Sequence, residues 1–270
     1  MRNGKSIEKG SRTALVTGGG SGIGRCMARR IAALGYDLAL AGSDAERLAE
    51  TAAELMSRYG TDVRTFALDL ATDGAAERLC RWADEERIEI DVLINNAGTF
   101  SFRDILSTPP ERIRRMLYLH DMTVALTCRL LGERMAARGR GGYILNMASY
   151  SLWMPFPGLA LYSASKAFVR SFSVAFAREV REAGIRVTAV CPAGVATDLY
   201  GLPAKLQRLG VRLGVLLTPD SCARRALRAM WRGRRCCVPG WWNRLFIPLC
   251  LTIPAPLLRL ARKRTMKLQR

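Results

Sequence analysis

The sequence predicts a single-domain α/β fold in which helices cover both faces of a parallel, doubly wound sheet. Three observations carry that prediction. Short apolar runs recur along the chain, longer segments with apolar residues at three and four lie between them, and a glycine-rich turn follows the first run. At 270 residues and 49% apolar, the chain is long enough to bury a sizeable core as one domain.

In chain order the runs are Ala14–Val16, Leu38–Ala41, Val63–Leu68, Val92–Ile94, Tyr143–Met147 and Val187–Cys191. Each reads as a strand buried on both faces, which is the pattern of a parallel sheet. Between them, Ile23–Leu34, Ala45–Tyr59, Pro110–Ala137 and Leu159–Ala183 read as crossover helices. Asp44, just ahead of one of these, is placed to cap it. In such folds ligands sit beyond the carboxyl ends of the strands, so polar motifs just after strands matter most.

The first such motif is Thr17-Gly-Gly-Gly-Ser-Gly-Ile-Gly24. Its Gly18, Gly20, Ser21, Gly22, Ile23 and Gly24 form a strand-to-helix turn in which backbone can approach a pyrophosphate and the helix start offers free amides. The second is Asn95-Asn96-Ala97-Gly98 after the fourth strand. The third is Ser149, followed thirteen residues later by Tyr162, with Lys166 at i+4 on the same helical face. Ketone reduction needs a proton on oxygen as hydride reaches carbon, and a nearby ammonium lowers the pKa of a phenol from its ordinary value of about 10. Tyr162 thus reads as the general acid in reduction and Ser149 as a donor to the substrate oxygen.

In combination these motifs resemble the short-chain dehydrogenase/reductase family, over roughly residues 12–239. The resemblance implies a Rossmann fold with a mainly seven-stranded parallel sheet, an NAD(P)-dependent oxidoreductase, and Ser149, Tyr162 and Lys166 as its catalytic residues, with Tyr162 and Lys166 also meeting cofactor. It further implies cofactor contacts from Asn96, Ala97 and Gly98, from Asp69 and Leu70 after the third strand, and from Pro192, Val195 and Thr197 after the sixth. Where the family carries an Asn that holds a water for proton relay, this chain has His120, an imidazole able to take the same part. At the end of the second strand Gly42 stands at the site of the acidic residue that favours NAD, and Ser43 at the site of the Arg that favours NADP. Without a carboxylate there, NADP is favoured over NAD.

Oily residues surround the expected mouth: Phe100 and Phe102, then Leu152, Trp153, Met154 and Phe156, then Leu199, Tyr200 and Leu202. They imply an apolar ketone or alcohol as substrate, and residues 199–217 resemble the family's mobile substrate loop. The resemblance to lipid-handling members implies reduction of a 3-oxoacyl chain, a keto lipid or a steroid. Two alternatives are a hydroxysteroid dehydrogenase working oxidatively and a cofactor-binding scaffold or sensor with little turnover. A homodimer or homotetramer is implied by resemblance alone.

The formal charge is +19, with thirteen Lys or Arg and no Asp or Glu from Arg224 to Arg270. Residues 1–11 read as a disordered lead-in without a secretory core, 12–240 as the catalytic domain, and 241–270 as a basic amphipathic extension. That extension, with Trp241, Trp242 and Phe246 ahead of its cations, suits an anionic membrane surface, whereas no nucleic-acid recognition motif accompanies the charge. Eight cysteines without CxxC spacing read as reduced thiols, and no metal site is expected. The adjacency of Cys236 and Cys237 reads as a strand coincidence. The chain is expected to be cytoplasmic, peripheral to a membrane at most.

Overall fold

The computed structural model describes residues 12–154, 156–240, 243 and 247–252. The lead-in, most of the basic extension and the residues Trp241, Trp242 and Phe246 lie outside the described residues.

Seven parallel strands form one sheet: β1 (Thr13–Thr17), β2 (Asp37–Gly42), β3 (Val63–Ala67), β4 (Ile90–Asn95), β5 (Gly142–Met147), β6 (Ile185–Val190) and β7 (Cys236–Cys237). Their order is β3-β2-β1-β4-β5-β6-β7, so the chain reverses direction across the sheet between β1 and β4. The carboxyl ends of those two strands flank the crevice where a doubly wound sheet binds its ligand, and the glycine-rich turn and the Asn-Asn-Ala-Gly motif sit there.

The helices are α1 (Gly22–Ala32), α2 (Ala45–Tyr59), α3 (Ala75–Glu85), α4 (Pro110–Leu117), α5 (Thr123–Ala137), α6 (Ala160–Glu179), α7 (Ala204–Arg212), α8 (Pro219–Trp231) and the short α9 (Ile247–Leu251). Side chains alternate across the pleat to fill two cores. On one face Val16, Leu38 and Leu40 pack on Met27 and Ile31 of α1 and on α8. On the other, Leu15, Leu93 and Ile144 pack on Leu79 of α3 and on Leu131 and Met135 of α5. Asp44 caps α2, its carboxylate accepting the Arg47 N–H at 3.0 Å.

Three details differ from the sequence reading. β3 is an edge strand, so Arg64, Thr65 and Ala67 are exposed rather than buried on both faces. The long helix read as residues 110–137 is interrupted by a π-helical turn at Tyr118–Met122, which adds a residue to the spiral and turns His120 inward. The loop read over 199–217 contains α7. All eight cysteines are free, and among the described residues no helix is long and apolar enough to cross a membrane.

Candidate active site

The Asn-Asn-Ala-Gly loop is fastened directly to the glycine-rich turn. The Thr17 hydroxyl accepts the N–H groups of Asn96 and Ala97, at 2.9 and 3.0 Å, and the Asn96 amide donates to the Thr17 carbonyl at 3.0 Å. Thr17 is therefore spent on shaping the crevice. Asn95 faces the other way, donating to Asn146 Oδ1 at 2.9 Å and accepting from Thr127 at 3.0 Å, while Asn146 donates to Ser173 at 2.9 Å. This buried chain ties β4 and β5 to α5 and α6, the elements that carry the site; fully satisfied networks of this kind hold neighbours in one arrangement.

Two glycines keep the crevice open. A Cβ at Gly24 would overlap the Gly18 carbonyl oxygen, and a Cβ at Gly98 would lie 3.3 Å from His120 Nε2 and 3.7 Å from Lys166 Nζ. Gly42 sits beside the turn as well, its side-chain direction 3.7 Å from Gly18 Cα.

A cavity of about 410 Å³ runs from Gly18, Ser21, Gly22 and Ile23, past Asn96, Ala97 and Gly98, to Ser149, Tyr162 and Lys166. Pro192, Val195 and Thr197 close its far wall, and Leu199 and Gln207 stand at its edge. The loop carrying Val195 is held by the Ala196 N–H donating to the Leu217 carbonyl at 2.9 Å. Ser43 and Asp69 line a neighbouring cavity of about 380 Å³ together with Gly98, Arg112 and Arg115. Leu70 is buried, its carbonyl accepting the Thr123 hydroxyl at 2.9 Å.

Ser149, Tyr162 and Lys166 are all buried. Lys166 Nζ donates to the Met147 carbonyl at 3.0 Å and stands 5.9 Å from the Tyr162 ring centre. Burial pushes the Lys166 ammonium down to about 8, against an upward pull from Asp121. The Ser149 oxygen accepts the Ser151 N–H at 3.2 Å, which leaves its proton directed by whatever oxygen enters the cavity. The Phe100 ring packs edge-on to Tyr162 at 5.0 Å.

His120 is fully buried next to this group, its ring 5.8 Å from that of Tyr162. Its Nε2 accepts the Thr99 N–H at 3.1 Å, and its Nδ1 lies 3.0 Å from Ser165 Oγ. The Ser165 hydroxyl donates to the Tyr162 carbonyl at 2.9 Å, so Nδ1 carries the proton and donates to Ser165. Burial, reinforced by Lys166, holds the imidazole well below its ordinary pKa. Both ring nitrogens are thus engaged, leaving neither to the water suggested by the family comparison.

Sequence reasoning missed two charged neighbours. Asp121 Oδ1 is buried with no hydrogen-bond partner among the described residues, and burial raises the carboxyl to about 7 while Lys166 pulls the other way. Arg47 lines the main cavity, above Gly20. Its signal was a cation in the first turn of the helix after β2. Asp69 holds less in reserve than its motif suggests: burial pulls its carboxyl up, but the Ala71 N–H and Arg115, at 2.9 and 2.8 Å, bring it below its usual range.

Of the oily residues, Phe102 and Phe156 pack together at 6.3 Å in a cluster with Phe100 and Tyr162. Leu152, Trp153 and Met154 instead pack against Tyr150 and Val169, away from the cavity. They turn away because Tyr150–Trp153 form a 3-10 turn that carries these side chains toward α6, with Trp153 under the Arg170 guanidinium at 5.5 Å.

A family model of short chain dehydrogenases matches residues 12–203. The chain belongs to the short-chain dehydrogenase family. It is 33% identical over 190 residues to the probable oxidoreductase EphD of Mycobacterium tuberculosis, covering 70% of this chain and 32% of that protein. The chain thus spans about a third of the length of that curated relative. The very-long-chain 3-oxoacyl-CoA reductase of Mus musculus is 32% identical over 199 residues, 72% of this chain and 62% of that one. A short-chain dehydrogenase from Sphingobium yanoikuyae, solved in complex with NADPH, superimposes with a TM-score of 0.76 at 30% identity, over 90% of this chain and 97% of that one. The crevice of this short-chain dehydrogenase fits such a cofactor, because its glycines leave the turn open where side chains would close it.

Proposed function

We propose that this short-chain dehydrogenase reduces the carbonyl of an apolar substrate, a 3-oxoacyl chain, keto lipid or steroid, with a nicotinamide cofactor. One observation carries the reading: Tyr162 and Lys166 are buried one helical turn apart, at a cavity that also holds Ser149 and the glycine cradle. Gly18, Ser21, Gly22, Ile23, Asn96 and Thr197 would hold the nicotinamide cofactor, which would supply hydride when bound. Tyr162 gives its phenolic proton to the substrate oxygen, and Ser149 donates a hydrogen bond where negative charge grows on that oxygen. The Lys166 ammonium favours phenolate on the neighbouring ring, which eases proton release. His120, neutral and doubly hydrogen-bonded, ties the Thr99 backbone to Ser165 next to Lys166.

NADP is preferred over NAD in this reading. β2 ends at Gly42 and Ser43 follows, so the strand end itself carries no carboxylate to repel a phosphate. The next residue, Asp44, is paired with Arg47 at 3.1 Å, and this exposed arginine lines the cavity beside the turn, where a phosphate can compete for it. The mouse reductase supports the 3-oxoacyl class, and the NADPH-bound Sphingobium structure supports the cofactor. Purified protein given NADPH or NADH with a panel of long-chain 3-oxoacyl thioesters, keto lipids and ketosteroids tests the proposal. Ketone-dependent oxidation of NADPH supports it, and none with any substrate refutes it.

The basic extension, 241–270, is proposed to hold the protein at an anionic membrane surface. Co-sedimentation with anionic vesicles that persists unchanged after truncation at Gly240 refutes that part. The chain is proposed to act as a homodimer or homotetramer, which light scattering on the purified protein tests.

A further inference from the structure

Helix α7 turns its apolar stripe outward. Gln207, Gly210 and Val211 are the half-buried residues of the helix, with Gly210 against Leu216. A solvent-facing side carries Leu206 and Leu209, with Leu213 just past the helix end, and they are 51%, 50% and 68% exposed. Spacing at i, i+3 and i+7 aligns them in one row, and Val215, 70% exposed, extends it. Lys205, Arg208 and Arg212 flank the row on one side, and no Asp or Glu occurs from Leu199 to Pro219. A contiguous exposed apolar patch of this kind marks an interaction surface on a soluble domain.

We propose that α7 docks into the surface of an anionic lipid bilayer, with the three leucines entering the acyl boundary and the three cations meeting the headgroups. Charge selects this occupant. A second copy pairing antiparallel through the same patch would set Lys205, Arg208 and Arg212 beside their own counterparts, and in any pairing of copies they meet no carboxylate of this segment, whereas anionic headgroups neutralise them. Position supports it too. Gln207 on the inner side of α7 and Leu199 just before it line the main cavity, so a docked helix sets the cavity mouth at the membrane. An apolar ketone would then enter from lipid without crossing water. That last consequence rests on the reductase reading, whereas docking itself does not.

The test uses the full chain with phosphatidylcholine vesicles containing or lacking phosphatidylserine. Wild type is compared with Leu206→Asp/Leu209→Asp and with Arg208→Glu, in sedimentation, in light scattering and in turnover of a water-soluble ketone. Both leucines are exposed and absent from the cavity lining, so the double variant keeps its fold, which thermal unfolding checks. The expected result is sedimentation of wild type with the anionic vesicles and a loss of at least about tenfold in partitioning for the double variant, with a smaller loss for Arg208→Glu. The proposal is overturned if wild type ignores the anionic vesicles or if the double variant partitions as wild type does. It is equally overturned if the double variant only changes the oligomeric state, which would make the patch a contact between copies. Absence of turnover in every protein would count against the reductase reading and leave the sedimentation result to decide the docking.

Discussion

His120 Nδ1 lies 3.0 Å from the Oγ of Ser165, the residue immediately before Lys166. Through its other nitrogen the same ring holds the Thr99 N–H, so one imidazole joins the loop after β4 to α6, the helix of Tyr162 and Lys166. Its role in this account is positional. His120→Ala removes two buried hydrogen bonds and leaves a cavity, and should cost about 2–4 kcal/mol of stability in thermal or denaturant unfolding. Because the imidazole is neutral at and above its ordinary pKa range, the variant should keep the shape of the pH–rate profile. Loss of a limb near neutrality would instead make His120 a proton carrier.

Asp121 provides a test in pH. Its carboxyl is raised from 3.8 to about 7, so the folded state binds more protons than the unfolded chain in that window and stability falls as pH rises through it. Lys166, lowered from 10.5 to about 8, contributes the opposite slope between those values. Asp121→Asn should therefore gain stability over wild type at pH 8, with the difference fading toward pH 4. Since Asp121 holds the lysine up, the variant should also move the alkaline limb of the rate profile to lower pH. Unfolding curves and rates across pH read both effects, and an unchanged difference from pH 4 to 8 would contradict the buried, raised carboxyl.

Gly24→Ala places a methyl against the Gly18 carbonyl and 2.5 Å from the Asn96 amide nitrogen. Backbone on one side and a fastened side chain on the other leave little room to yield. The expected outcome is a loss of about 1–3 kcal/mol in stability together with weaker NADPH binding, measured by unfolding and by cofactor fluorescence.

For Arg47→Ala, loss of a charged hydrogen bond to the extra phosphate of NADP, worth ~1.5–3 kcal/mol, predicts a drop of about ten- to hundredfold in kcat/KM for NADPH. The value for NADH should hold. Equal losses for both cofactors would place Arg47 elsewhere in the crevice's work.

Much of this arrangement was readable in the chain. Central strands such as Leu38–Ala41 announce themselves because burial on both faces demands unbroken apolar runs, whereas β7, two residues long, is too short to form such a run. Edge strand β3 did not follow that rule, since one anchor on each face suffices there, Val63 in one core and Phe66 against the other, and the residues around them stay exposed. The π-turn was hidden because one inserted residue barely disturbs helical periodicity over 110–137, yet it carries both His120 and Asp121, whose ionisation Lys166 influences. Ser149, Tyr162 and Lys166 were legible from spacing within one helix and its preceding loop. Arg47 and Asp121 were not, because their relevance depends on which elements fold against them. Leu152, Trp153 and Met154 misled for the same reason: a 3-10 turn, not their chemistry, sends them away from the cavity.

The most direct measurement is NADPH oxidation by wild type and Tyr162→Phe on the same long-chain ketone. The account predicts ketone-dependent turnover in wild type, a fall of about a hundred- to ten-thousandfold in kcat for the variant, and unchanged cofactor binding in both. Equal rates in the two proteins, or cofactor binding without turnover in either, would contradict Tyr162 as the proton donor of a working reductase.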